Sequence, residues 1–221
     1  MKIACPYFNS LIEINEGTPF SLIMENQPLF RRFAEDLHSQ LDGNGGDTIL
    51  SIDNTPVAMH KRAEILESFA PFDINSKTML SGISAALEKV AVDETHYLET
   101  SRLISETEKY IFELGFSLPV TIECRKLNAG AIIKAASVAI ADDFANAIEK
   151  ILSYMSLILD LGGKRLFITL NMRSYFSDEE MEQFIGEIEK KQLCVLMLEN
   201  CARKKLPGME QLIIDSDLCE F

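Results

Sequence analysis

The sequence predicts an α/β protein, either one α/β body carrying an insertion or two closely joined domains, and three observations predict it. The first is the stretch Leu166 to Asn200. Its short apolar runs, Leu166 to Leu170 and Leu193 to Leu198, have the pattern of strands buried on both faces of a parallel sheet, and a capped amphipathic helix lies between them. This is the layout of a right-handed βαβ unit. The second is a change of character at about Lys77, after which the chain is mostly helical as far as Leu161. The third is size and composition: 221 residues with 47% hydrophobic and 25% charged residues are enough for a sizeable core.

Taken in order, Leu11 to Ile14 and Phe20 to Met24 are apolar runs separated by Asn15-Glu16-Gly17, so a β-hairpin is expected at the start. Pro28 suits the first turn of a helix, whose stripe is Leu29, Phe30, Phe33, Leu37 and Leu41. The run Asp42 to Gly46 ends it, and Thr48 to Ile52 is the next strand. Met59 to Phe69 is a short helix or a turn-rich segment, closed by Pro71. Helices are expected over 77 to 91, with Asn75 or Ser76 as N-cap, and over 93 to 115, 128 to 138 and 141 to 161, while Pro119 to Glu123 is an extended interruption. The last two long helices carry stripes on more than one side, which predicts packing on further helices of this chain or of another copy. In the βαβ unit, Ser177 and Glu180 form a capping box, Met181, Phe184, Ile185 and Ile188 make the buried face, and Lys190-Lys191 complement the dipole. A basic loop, Arg203 to Gly208, then leads to a last strand at Leu212 to Ile214.

The formal charge of -13 is not that of a typical nucleic-acid binder. Its distribution matters more: residues 1 to 75 carry 5 Lys+Arg against 11 Asp+Glu, 76 to 161 carry 8 against 12, and 162 to 221 carry 8 against 11. Every third is acidic, so any basic site must be a local cluster, and Lys61-Arg62, Arg125-Lys126, Lys164-Arg165 and Arg203-Lys204-Lys205 are such clusters. Five cysteines without CxxC spacing and three scattered histidines predict a reduced, cytoplasmic protein with no zinc site. Apolar runs are too short for a signal peptide or a membrane span. Neighbouring acids such as Asp215 and Asp217 fit turns better than a cation site. Two glycine clusters lack the pattern of a phosphate cradle. Gly43 to Gly46 lies between a helix and a strand rather than a strand and a helix, and lacks the lysine. Gly162-Gly163-Lys164-Arg165 precedes a strand and lacks the upstream glycine and the hydroxyl.

Four stretches, in order, carry a resemblance. Phe72-Asp73-Ile74-Asn75-Ser76 followed by Thr78-Met79-Leu80 resembles the FDVNS corner of the adaptation protein family of type II-A CRISPR loci. Lys164 to Ile168 through Asn171, then Tyr175 to Glu180, resembles its basic-start strand and capped helix. Val195 to Glu199 resembles the next strand, and Ile213 to Asp217 its ILDED ending. The resemblance implies an α/β head made from both chain ends, here 1-75 and 162-221, that is P-loop-like but has no nucleotide site, and a mostly helical leg, 76-161. It also implies a non-catalytic, homotetrameric ring that encloses double-stranded DNA ends, binds calcium, and serves spacer acquisition beside the integrase pair and the effector nuclease. One departure stands out. After the long helix only Glu123, with Glu113 upstream, remains of the acids expected at the calcium site, against the roughly six to eight oxygens that calcium takes. Arg125-Lys126 is therefore expected to supply charge that the cation supplies in relatives.

A closed ring reconciles an acidic chain with DNA, because four copies bring one basic cluster into a single channel. The residues expected to face phosphates are Lys61, Arg62, Arg125, Lys126, Lys134, Lys164, Arg165 and Arg173. The alternative, a nucleotide-binding or phosphotransfer enzyme on a degenerate P-loop-like fold, lacks the GxxxxGK[ST] motif.

Overall fold

The structure, a computed structural model, describes residues 1–163 and 165–221. The described chain divides into two compact units, Met1–Asp73 with Phe144–Phe221, and Ile74–Asp143.

The first unit holds two sheets. One is wholly parallel, in the order β6 (Ala63–Leu66), β7 (Leu166–Leu170), β8 (Cys194–Glu199), β3 (Phe20–Met24), β9 (Glu210–Ile214). The continuous apolar runs of β3, β7 and β8 match their place inside the sheet, where both faces are covered. The other is antiparallel and small, in the order β2 (Ile12–Glu13), β1 (Lys2–Ala4), β4 (Ile49–Ile52), β5 (Thr55–Pro56). Between the sheets and α1 (Gln27–Leu41) lies a core that includes Ile3, Ile12, Leu22, Phe33, Leu37, Leu50, Ile168 and Leu196. Alternate residues, Phe167, Val195 and Met197, point to the opposite face and are fully buried. There α6 (Ala147–Gly162) and α7 (Asp178–Lys191) pack on each other, with Ile151, Met155, Phe184 and Ile188 buried. The expected capping box of α7 is present: the Glu180 N–H donates to Ser177 Oγ at 3.3 Å, and the Ser177 N–H donates to Glu180 Oε2 at 2.8 Å.

In the second unit, α3 (Lys77–Ala91) packs on α5 (Ala129–Ala135), and α4 (Tyr97–Gly115) is the longest helix. Ser76 caps α3 by accepting from Met79 N–H, and Asn128 caps α5. Asn75 ties the ends of this unit together, accepting from Ile140 N–H at 2.8 Å and donating to Ile140 C=O at 3.0 Å.

Four expectations are corrected. The runs at 11 to 14 and 20 to 24 form no hairpin: β2 pairs with β1, and β3 lies between β8 and β9 in the other sheet. A strand with four buried residues out of five belongs in a covered sheet, not in an exposed ribbon. The 59 to 69 stretch contains strand β6 after the single turn α2 (Met59–Arg62). The helix expected over 141 to 161 begins only at the Asn146 cap, which accepts from Glu149 N–H. It also belongs with the first unit rather than with the 76-161 leg, since Tyr154 donates to Glu64 at 2.8 Å and stacks edge-on against Phe72.

Candidate nucleic-acid interface

Parallel pairing in register puts Ala63 of β6 opposite Leu166 of β7, so the residues just before them stand side by side. Arg165 N–H donates to Arg62 C=O at 2.8 Å. Lys61-Arg62 and Arg165, a hundred residues apart in sequence, are thereby joined at the amino ends of β6 and β7; Lys164 lies outside the described residues. Lys61, Arg62 and Arg165 are exposed. The arrangement depends on the end of α6, where Gly163 takes a left-handed conformation (φ +77°) that any side chain would strain, and its C=O lies 3.5 Å from Arg62 Nη1. At this same end of the sheet α7 finishes in Lys190-Lys191, a basic pair that also complements the helix dipole. Lys190 is held by Glu187 at 2.7 Å, and Lys191 is exposed. Below the surface, burial pushes the Cys194 thiol up, Glu16 adds to this, and the amino terminus and Arg165 oppose it.

Arg173 is not part of any phosphate-facing surface. It is 3% exposed, in the 3₁₀ turn Met172–Ser174 at the opposite, carboxyl end of β7. Its Nη1 donates to Lys204 C=O at 2.9 Å and its Nη2 to Asp178 Oδ1 at 2.8 Å. A buried guanidinium must be paired and hydrogen-bonded; this one commits Nη1 and Nη2 in that way, while its buried Nε has no partner among the described residues. Beside it Glu199, the last residue of β8, is 2% exposed and accepts from Arg173 N–H at 3.2 Å. Burial raises the Glu199 carboxyl to about 7 against the pull of Arg173 and Arg203. The sequence reading missed Glu199; its signal was an acid closing a fully apolar strand run.

In the second unit the candidates are separate. Arg125 and Lys126 are exposed in the segment after α4, with Arg125 Nε 3.6 Å from Glu123 Oε2. Lys134 is exposed in the last turn of α5. Glu113 pairs with Lys109 at 3.8 Å. The residues named for calcium are therefore each engaged with a cation of their own, and among the described residues no group of three or more His, Cys, Asp or Glu side chains converges to hold a metal. Glu113 and Glu123 alone do not supply the several carboxylate and carbonyl oxygens that calcium needs around one point.

The glycine loop 43 to 46 lies between α1 and β4 as expected, and the turn from β3 into α1, Glu25-Asn26-Gln27, has neither glycine nor lysine. Among the described residues no helix is long and apolar enough to cross a membrane. The family model described as CRISPR-associated protein (Cas_Csn2) matches residues 40–218 of this chain, well over half of it. Among solved structures, an ABC transporter ATP-binding protein from Pyrococcus furiosus is similar over 92% of this chain and 88% of its own, at 11% identity and a TM-score of 0.37, a likeness too distant to bear on function.

Proposed function

Because this chain belongs to the Cas_Csn2 family of CRISPR-associated proteins, we propose that it is a non-catalytic protein that binds the ends of double-stranded DNA during spacer acquisition. The observation that carries the reading is the junction of Lys61-Arg62 with Arg165 at one mouth of the parallel sheet. Exposed cations on a rigid strand edge neutralise phosphates without reading bases, which suits ends of any sequence. The integrase pair and the effector nuclease of the locus are its proposed partners, the cytoplasm its proposed location.

We further propose a homotetrameric ring. Its support is α4, a 19-residue helix whose Tyr97, Leu98, Leu103, Tyr110, Phe112 and Leu114 are exposed. Exposed apolar side chains on more than one side of a helix mark it as an interaction element, and a second copy is the occupant that also multiplies the basic mouth. No observation favours nucleotide chemistry, since both glycine clusters are on the wrong side of their elements.

Sizing chromatography tests both proposals together. The expected result is a tetramer that takes up linear duplex and leaves a closed circle of the same sequence in the void. Equal uptake of circle and line would refute end-threading, and a monomer that ignores duplex at low salt would refute the whole reading.

A further inference from the structure

A second basic region lies at the far end of the same sheet. The loop Asn200 to Gly208 leaves the carboxyl end of β8 and carries Arg203, Lys204 and Lys205 in succession. All three side chains are exposed, and none has an ion-pair partner within 4 Å among the described residues. Three consecutive exposed cations without an ion pair stand out in a chain of charge -13.

The loop is also pinned from beneath along its length. Asn200 N–H donates to Asn171 Oδ1 at 3.0 Å, Ala202 N–H to Glu25 Oε1 at 3.3 Å, and Arg173 Nη1 to Lys204 C=O at 2.9 Å. Leu206 and Met209 are buried and close its far side. A buried arginine committed to the backbone between two surface cations fixes where those cations stand, so little ordering entropy is lost when a polyanion arrives.

We propose that the loop 200 to 208 is a second phosphate-contacting surface for duplex DNA, preorganised by Arg173 and separate from the β6/β7 mouth. The proposal rests on the DNA-binding reading and deepens it. Parallel strands put the mouth at their amino ends and the loop at their carboxyl end, so the two surfaces touch different phosphates and contribute independently. The groups around the loop's base are Glu199 at the end of β8, Arg173 after β7, Asp178 in the first turn of α7, Glu25 after β3, and Arg203 on the loop itself. Ionisation of Glu199 places a negative charge under Arg203, so it opposes phosphate binding at the loop and leaves the mouth alone.

The test is the salt dependence of affinity for a blunt 30-base-pair duplex, measured for the wild type, for Arg203→Ser/Lys204→Ser/Lys205→Ser, and for Lys61→Gln/Arg62→Gln. The expected result is that the loop variant lowers the slope of log affinity against log salt by about 2 to 3 per protomer in contact, additively with the mouth variant. A slope lowered by the mouth variant but untouched by the loop variant overturns this inference and leaves the DNA reading standing. No binding by the wild type at low salt overturns both. Because the loop side chains are exposed, the variant keeps its core. A second measurement separates positioning from bulk charge: wild-type affinity is expected to fall as pH rises from 6 to 8, and Glu199→Gln is expected to remove that fall. Identical pH profiles for the two proteins overturn the role given to the loop's buried base.

Discussion

Glu199 and Arg173 show how a single buried acid acquires a measurable signature. The carboxyl titrates at about 7, against an ordinary value of 4.5, chiefly because burial disfavours its charged form. The folded state therefore holds its proton more tightly than the unfolded chain. Stability from this group is complete below pH 4.5, falls as pH rises through the window 4.5 to 7, and is gone above it. A shift of that size corresponds to about 3 kcal/mol. Glu199→Gln is expected to flatten this part of the pH dependence of urea unfolding, and a retained slope would assign it to another group. Arg173→Ala should cost about 3 kcal/mol or more in the same assay, because it strips the partners from Lys204 C=O and Asp178 and leaves Glu199 uncompensated. Sequence alone pointed Arg173 at solvent, since charge is ordinarily exposed. What it did not reveal is that the turn after β7 folds back over the sheet, and a one-dimensional pattern carries no record of that.

At the level of elements, local chemistry was readable and pairing was not. The helix Asp178–Lys191 was visible from its cap, its apolar spacing and its basic end, and each of these is a local interaction. Ser177→Ala removes the hydroxyl that accepts from Glu180 N–H and should cost about 1 kcal/mol of stability, with Ser177→Asp restoring most of it. A loss below the error of a denaturant titration would mean that tertiary packing alone holds the helix end. The β3 run was legible as a strand, yet its partners β8 and β9 lie more than 170 residues away, so the sequence neighbourhood suggested a hairpin that long-range burial overrides. The short strand β6 was hidden because Ala63-Glu64-Ile65-Leu66 has no clean alternation; its identity comes from pairing with β7. In the same way, the Lys61-Arg62 and Arg165 clusters were each legible as charge pairs, but their union was not, because a parallel register created it.

At the scale of the whole molecule, an acidic protein that binds DNA must concentrate a few cations where repulsion elsewhere does not cancel them. Within one protomer the mouth supplies Lys61, Arg62 and Arg165, a modest patch for a chain of charge -13. Screening at physiological salt acts over about 8 Å, so distant acids are muted while cations at phosphate contact are not. In the proposed ring self-association decides affinity, because a second and further copies would present the same mouth to one duplex and convert later contacts into intramolecular ones. Helix α4 is where this is open to test. Leu98 is 79% exposed and Leu114 is 55% exposed, so neither change below disturbs a core in the isolated chain. If α4 joins copies, Leu98→Glu/Leu114→Glu is expected to reduce the mass found by sedimentation while leaving far-ultraviolet circular dichroism and thermal unfolding of the protomer intact. The same variant should bind duplex at least tenfold more weakly and with a shallower salt slope, although every cation of the mouth is still present. A full-sized assembly with unchanged slope would place the joining surface elsewhere, whereas a smaller assembly that keeps wild-type affinity would show that one protomer's cations suffice and that the ring is not needed for binding.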